Sequence, residues 1–323
     1  MRPKEGVRLP TKKSFIMLQR ILSQASSSVL QSLTGLSRRE FDHLLIAFAL
    51  AWQEAEALRW RGRPRRRQAG GGRKGWLPTL ADKLFFILFY VRQYPVQRVQ
   101  AVMFGMNKSQ ADEWIHRLLP VLESSLGHEI ALPLRPCSSM EEMLAKCPEL
   151  IYWLDGTERQ INRPQDAELQ KTHYSGKKKR HTIKNTVVSD SKRRIVFLGD
   201  TKEGKRHDKQ LAEDDSPPFP AKSRVGADSG YQGYHSTGLT VTTPMKKPRG
   251  GELTEDEKAI NRRLSQLRVV VENSLCGTKI NRIVHDIFRG RKKGFDDHAM
   301  VISVGLHNFR CDHRASAKMK QAA

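Results

Sequence analysis

Apolar residues recur at helical spacing through the first part of the chain and at every second position from about Pro148. SFIMLQRIL and SRREFDHLLIAFALAWQEAEALRW both read as amphipathic helices. The second opens on Ser37-x-x-Glu40, the spacing of a capping box, with Leu36 and Phe41 placed as a hydrophobic staple around it. TLADKLFFILFYVRQYP predicts a long helix stopped at Pro95. VQRVQAVMFGM predicts a short one ending at Gly105, and NKSQADEWIHRLLPVLESSLG a third capped by Asn107. Further on, ELIYWLDGTERQINRP reads as two strands joined through Gly156. TIKNTVVSD and RRIVFLGDT read as a hairpin turning at Asp190-Ser191-Lys192. HDKQLAEDD predicts a short helix, SRVGADSGY a strand running into a glycine turn, and LTVTTPMKK another strand.

LRVVVENSLCGTKINR, from Leu267, is ambiguous at first sight, because three valines favour a strand. At about 100° per residue, Ile260, Leu264, Leu267, Val271 and Leu275 fall in one stripe roughly 80° wide. Arg268, Glu272 and Lys279 fall together beside it. A strand would give no sustained pattern, so a helix is predicted from Glu255 to about His285.

Charge changes the picture. The 323 residues carry 57 Lys+Arg against 34 Asp+Glu, a formal charge of +23. So large an excess points to a polyanionic partner, nucleic acid first. No apolar run is long enough for a bilayer, no signal peptide is legible, and four cysteines make no disulfide scaffold, so a reduced, cytoplasmic protein is expected. With that charge, the tight Gly105-Met106-Asn107 turn reads as a helix-turn-helix, with Lys108, Ser109 and Gln110 leading the helix that enters a DNA groove. An ordinary three-helix bundle is the bland alternative. The run RWRGRPRRRQAGGGRKG, with Arg65, Arg66 and Arg67, is either a solvated linker or a phosphate-contacting arm, and both can hold at once.

Asp155 follows IYWL and Asp228 follows RVGA, each placed at the end of an apolar run ahead of a glycine. Either alone is a common way to start a turn. Two such aspartates with a helix glutamate, on a basic chain, fit a site holding two hard divalent cations, Mg²⁺ or Mn²⁺, for phosphoryl transfer. Without metal the acids repel one another, so shifted proton affinities are expected. Zinc is a poor alternative, since His307, Cys311 and His313 have only Cys137 and Cys147 as a second half.

These blocks together resemble the DDE transposases of bacterial insertion sequences, in the insertion-sequence-five-like group related to the Harbinger transposases. IYWLDGTERQINRP is similar to the first-aspartate block, YSGKKKRHTIKN to the basic block and RVGADSGYQGY to the second-aspartate block. Arg268, Glu272 and Lys279 match the spaced third signature, with Ser265 where a tyrosine is usual. The resemblance implies an α/β catalytic domain at 148–312 with a ribonuclease-H-like mixed five-stranded sheet, Asp155 on its central strand. An all-α helix-turn-helix domain at 75–135 precedes it, after a basic tail, helices and linker at 1–74, and a basic tail at 313–323 follows. It implies Asp155, Asp228 and Glu272 as metal ligands, and cleavage at terminal inverted repeats followed by attack of the freed 3′-OH on target DNA. A homodimer or larger assembly pairing two DNA ends is implied as well; the short apolar runs already argued against a membrane partner.

Lys177, Lys178, Lys179, Arg180 and His181 form a basic cluster suited to DNA phosphates or simply to solvent. Lys279 is placed to hold DNA near the cut, and Arg268 to orient Glu272. His207-Asp208 assists the site or only caps its helix. A catalytically silent DNA-binding regulator with the same fold is the rival reading, and an RNA-cleaving nuclease a weaker one.

Overall fold

The computed structural model describes residues 26–59, 61, 75–236, 238–248 and 250–322. SFIMLQRIL and the run with Arg65, Arg66 and Arg67 lie outside the described residues. The chain divides into two compact units, Met1–Ile130 with Asn281–Ile283, and Ala131–Ile280 with Val284–Ala323.

The first unit is a bundle of helices α1 (Ser27–Thr34), α2 (Arg38–Arg59), α3 (Leu80–Gln93), α4 (Gln97–Met103) and α5 (Lys108–His128). The expected capping box forms: the Glu40 carboxylate accepts from the Ser37 N–H at 2.7 Å, and Leu36 and Phe41 are both buried. Helix α3 opens on a second box made by Thr79 and Asp82, and every residue from Asp82 to Val91 is buried, so it is the bundle's central helix. It ends at Tyr94, just ahead of Pro95. Gly105 turns the chain from α4 to α5 with φ +69°, a conformation that favours glycine. The Asn107 side chain then caps α5 by accepting from the Gln110 N–H at 2.9 Å. Phe104, in the same turn, packs edge-on against Phe86 at 4.7 Å and so fixes the turn to α3.

In the second unit a mixed sheet contains β1 (Ile151–Gln160), β2 (Tyr174–Ser175), β3 (Arg180–Asp190), β4 (Ile195–Leu198), β5 (Lys202–Glu203), β6 (Arg224–Ala227) and β7 (Thr240–Thr242). Strand β3 runs antiparallel to β1 along one edge, while β2, β4 and β5 share its other edge. Strands β6 and β7 extend the sheet beyond β1 in parallel. The expected five strands are therefore seven segments standing in five ranks, because the outer partner of β3 is broken into short pieces.

One expectation is corrected here. IYWLDGTERQ is a single ten-residue strand, not two strands joined through Gly156. Asp155 thus sits in mid-strand, paired across to Val187. Gly156 serves packing rather than a turn: a Cβ there would lie 3.2 Å from the Tyr231 hydroxyl and 3.4 Å from the Asp208 carboxyl. Strand alternation then divides the side chains. Tyr152 and Leu154 enter a core with Ala212, Val225 and Tyr231. Trp153, Asp155 and Arg159 turn to the opposite face.

Helices α6 (Met140–Lys146), α7 (Ala167–His173), α8 (Asp208–Asp215), α9 (Glu255–Lys279) and α10 (Phe295–Ala322) complete the unit. The basic segment KTHYSGKKKRH forms the end of α7, the short β2 and a tight turn into β3. The last helix runs through residues 312 and 313 without a break. Helix α9 starts at the predicted Glu255 but ends at Lys279, with a separate short helix at Arg282–His285, and it lacks the predicted buried stripe. Its buried residues are Val271, Ser274 and Thr278, while Ile260 and Leu267 are exposed. Its buried residues all lie in the C-terminal half, where small residues let it come close. The Ser274 hydroxyl donates to the Arg193 carbonyl at 2.9 Å, and Gly277 lies against the His307 ring.

Candidate active site

The parallel register sets Leu154 beside Ala227, so the next residues, Asp155 and Asp228, stand level on neighbouring strands and on the same face. Helix α9 crosses that face. Its Arg268 guanidinium lies 2.7 Å from a Glu272 oxygen and 3.7 Å from an Asp228 oxygen. The i, i+4 spacing that aligned Arg268 with Glu272 in the sequence is thus a formed ion pair, extended to the strand-end aspartate. Asp228 also accepts from the Gly230 N–H at 2.7 Å, which holds the carboxylate at the mouth of the turn.

Asp155 is perturbed by its surroundings. Burial pushes its carboxyl up to about 6 from 3.8. The Gly156 N–H, 2.8 Å from Oδ1, and the Arg268 charge pull it down, while Asp228 and Asp208 push it up. A half-buried acid crowded by two others is the signature expected of a carboxylate cluster that binds cations. The donor set suits hard divalent cations. All three candidates offer carboxylate oxygens, and Glu272 is exposed and held by Arg268.

Lys279, two turns after Glu272, is half-buried. Burial lowers its pKa, and its ammonium feels the attraction of Asp155 and the repulsion of Lys178 and Arg159. The basic turn after β2 therefore lies within electrostatic reach of the acids. Lys177, Lys178, Lys179 and Arg180 are exposed in it, and His181 is half-exposed at the start of β3. Beside Asp228, a cleft of about 230 Å³ is lined by Trp153, Pro244, Leu264, Ser265 and Arg268, among others. Ser265, in the place of the usual tyrosine, donates its hydroxyl to the Asn261 carbonyl within α9.

The open question over His207-Asp208 narrows. His207 precedes α8 but its side chain makes no cap hydrogen bond, so the bland capping role is not its own. Asp208 pairs with Lys184 at 2.9 Å behind Gly156, on the far side of β1 from Arg268. Two further residues escaped the sequence reading. Tyr231 is buried with its hydroxyl against Gly156. Arg159 is 2% exposed, spans Asn185 and the Asp296 carbonyl, and is lowered by burial to about 10. An arginine inside a polar strand gave no sign of that burial, whereas Tyr231, close after the second aspartate, could have been tested as part of its block.

His307, Cys311 and His313 do not assemble into a zinc site. His307 is buried, with its Nε2 2.7 Å from the Arg193 carbonyl, and the His313 ring packs on Phe309. In the first unit, Lys108 and Ser109 are exposed at the start of α5 and Gln110 is half-buried. The Gln110 Oε1 accepts from the Asn107 N–H at 3.1 Å, leaving only its amide hydrogens free for a base edge.

A half-buried carboxyl, two acids on one guanidinium and a flanking basic turn are compatible with phosphoryl transfer. Residues 154–308 match the DDE superfamily endonuclease family, and residues 77–128 match the helix-turn-helix of DDE superfamily endonucleases. A protein of Microchaete diplosiphon, named as a transposase for insertion sequence element IS702, is 30% identical over 231 residues, which is 71% of this chain and 80% of the relative. One of Streptomyces albus G, named as a transposase for insertion sequence element IS112, is 29% identical over 296 residues, 89% of this chain and 97% of the relative. No solved structure matches. The chain belongs to the DDE superfamily endonucleases, among the transposases of insertion sequences. Among the described residues, no helix is long and apolar enough to cross a membrane.

Proposed function

We propose that the chain is the transposase of a bacterial insertion sequence, one that acts on the DNA of the cytoplasm. It binds the terminal inverted repeats through its helix-turn-helix, cuts a DNA strand at the element's end and joins the freed 3′-OH to target DNA. The observation that supports this reading is that Arg268 pairs with Glu272 and reaches Asp228, while Asp155 stands level with Asp228 on the next strand, beside a basic turn. An antiparallel block of three ranks followed by two parallel strands supports a ribonuclease-H-like sheet with Asp155 on its middle rank. The motif spacing supports the insertion-sequence-five-like group.

Asp155, Asp228 and Glu272 are the residues to hold two Mg²⁺ or Mn²⁺ ions. Such ions supply positive charge at the attacking and leaving oxygens of an in-line displacement. Arg268 acts as a positioning residue. Its bond to Glu272 aims that carboxylate at the strands, and its charge keeps Asp155 more readily ionised. Lys279 and Lys178 bind phosphates of the strand to be cut, and Lys177, Lys179 and Arg180 extend that contact along the backbone without reading sequence. Lys108, Ser109 and Gln110 read the repeat, and two copies of the chain pair the two ends.

The test is nicking of end-bearing DNA with Mn²⁺ or Mg²⁺. The wild type cuts, and Asp155→Asn, Asp228→Asn and Glu272→Gln each bind the DNA but lose cutting. A variant that cuts at the wild-type rate removes its residue from the site. A wild type that binds the ends and never cuts supports the silent regulator instead.

A further inference from the structure

Tyr174 is a large aromatic residue left in the open, 44% exposed, in the most basic stretch of the second unit. Its backbone is not loose. Tyr174 pairs with His181 across β2 and β3, and Ser175 behind it is buried. The Lys179 N–H donates to the Ser175 carbonyl at 2.7 Å, and the Lys178 N–H to the Ser175 hydroxyl at 3.2 Å, closing the turn. Across the strands the His181 ring meets the Tyr174 ring edge-to-face, 5.7 Å between centroids and 69° between planes. A T-shaped neighbour covers at most one face of the tyrosine, and the residue remains 44% exposed.

In the same turn are Lys177, Lys178 and Lys179, all exposed and, among the described residues, without an ion-pair partner. The same turn borders the strand that carries Asp155: the Arg180 guanidinium donates to the Gln160 Oε1 at 2.8 Å, at the end of β1. A held ring among free cations is the composition of a stacking platform for nucleic acid, with cations on phosphates and the ring on a base. A base inside a B-form duplex has both faces covered by its neighbours, so such a ring has nothing to stack on along intact DNA. An unpaired base offers a face.

The geometry points to Tyr174 as a stacking platform for an unpaired DNA base close to the cut, with Lys177, Lys178 and Lys179 holding the adjoining phosphates. This rests on the nuclease reading above and adds the form of DNA that the site prefers, a strand end or junction with unstacked nucleotides.

The full chain is tested in EDTA, so that no cleavage is needed, with two probes: a blunt duplex, and the same duplex carrying a short single-stranded tail with one 2-aminopurine. The wild type is expected to bind the tailed duplex more tightly and to quench the 2-aminopurine. Tyr174→Ala weakens tailed-duplex binding by about ten-fold and abolishes the quenching, with blunt-duplex binding unchanged to about two-fold. Tyr174→Phe keeps both properties. An abasic site in place of the 2-aminopurine brings the wild type down to the affinity of Tyr174→Ala. If Tyr174→Ala binds and quenches like the wild type, or loses blunt and tailed duplex alike, the platform is wrong. Quenching by a wild type that never cuts with Mn²⁺ refutes the nuclease reading and leaves the platform standing. Cutting with no Tyr174 dependence refutes the platform alone.

Discussion

Replacing Asp155 by asparagine is expected to stabilise the metal-free protein at neutral pH while destroying its activity. The folded carboxyl is raised to about 6 from 3.8, with burial as the main cause. The folded state therefore holds the Asp155 proton more tightly than the unfolded chain does. Stability is greatest where the group is protonated and falls as pH rises from about 4 to about 6, with the full penalty above that window. At about 1.4 kcal/mol per unit, the penalty is roughly 3 kcal/mol. Asparagine keeps an oxygen for the Gly156 N–H and cannot ionise. At pH 8 the variant should melt higher by about 6–12 °C in the transition of the second unit. At pH 4 the two proteins should melt together. Thermal melts in EDTA across that range measure the difference, and added Mn²⁺ should raise the wild type and leave the variant unmoved. A melting difference that stays constant from pH 4 to pH 8 would refute the picture of a buried carboxyl crowded by its neighbours.

Three further outcomes are expected. Gly277→Ala places a Cβ 2.3 Å from the His307 Nδ1, so α9 must shift; a loss of about 1–3 kcal/mol should appear in urea melts. His307 is lowered by burial to about 4 from 6.5, so the fold prefers it neutral. Its contribution is complete above about pH 6.5 and is lost as pH falls toward 4, opposite in sign to that of Asp155. The two slopes partly cancel in the wild type, and Asp155→Asn should expose the histidine's acid sensitivity in urea melts. Changing Lys177, Lys178 and Lys179 together to glutamine should weaken binding to all DNA sequences alike and reduce the salt slope by about 2–3. Fluorescence anisotropy at several salt concentrations measures that change.

Local signals carried far in the sequence. Ser37 and Glu40, Asn107, and the turn at Asp190 acted as read, because a cap or a hairpin needs only near neighbours. Arg268 and Glu272 were legible for the same reason, their pairing being a matter of one helical turn. What stayed hidden depended on distant partners. Gly156 reads as a turn, yet it lies in a strand because Tyr231 and Asp208 arrive from far along the chain to fill its missing side chain. The apolar stripe of α9 was arithmetically sound, but a helix buries the face its neighbours reach. Here the close approach to Arg193 and His307 selected Ser274, Gly277 and Thr278. Arg135 shows the same limit: it sits in an unremarked connection and bridges Asp200 at 2.8 Å and Asp297 at 2.6 Å.

The central claim is that Asp155, Asp228 and Glu272 hold divalent metal together. Iron-mediated affinity cleavage tests it most directly. Fe²⁺ with ascorbate and peroxide, in place of Mg²⁺, cuts a polypeptide beside the bound ion. The account predicts fragments ending near Asp155, Asp228 and Glu272, suppressed by excess Mg²⁺ and absent from Asp155→Asn. Cuts confined to other parts of the chain, or an unchanged pattern in Asp155→Asn, would contradict it.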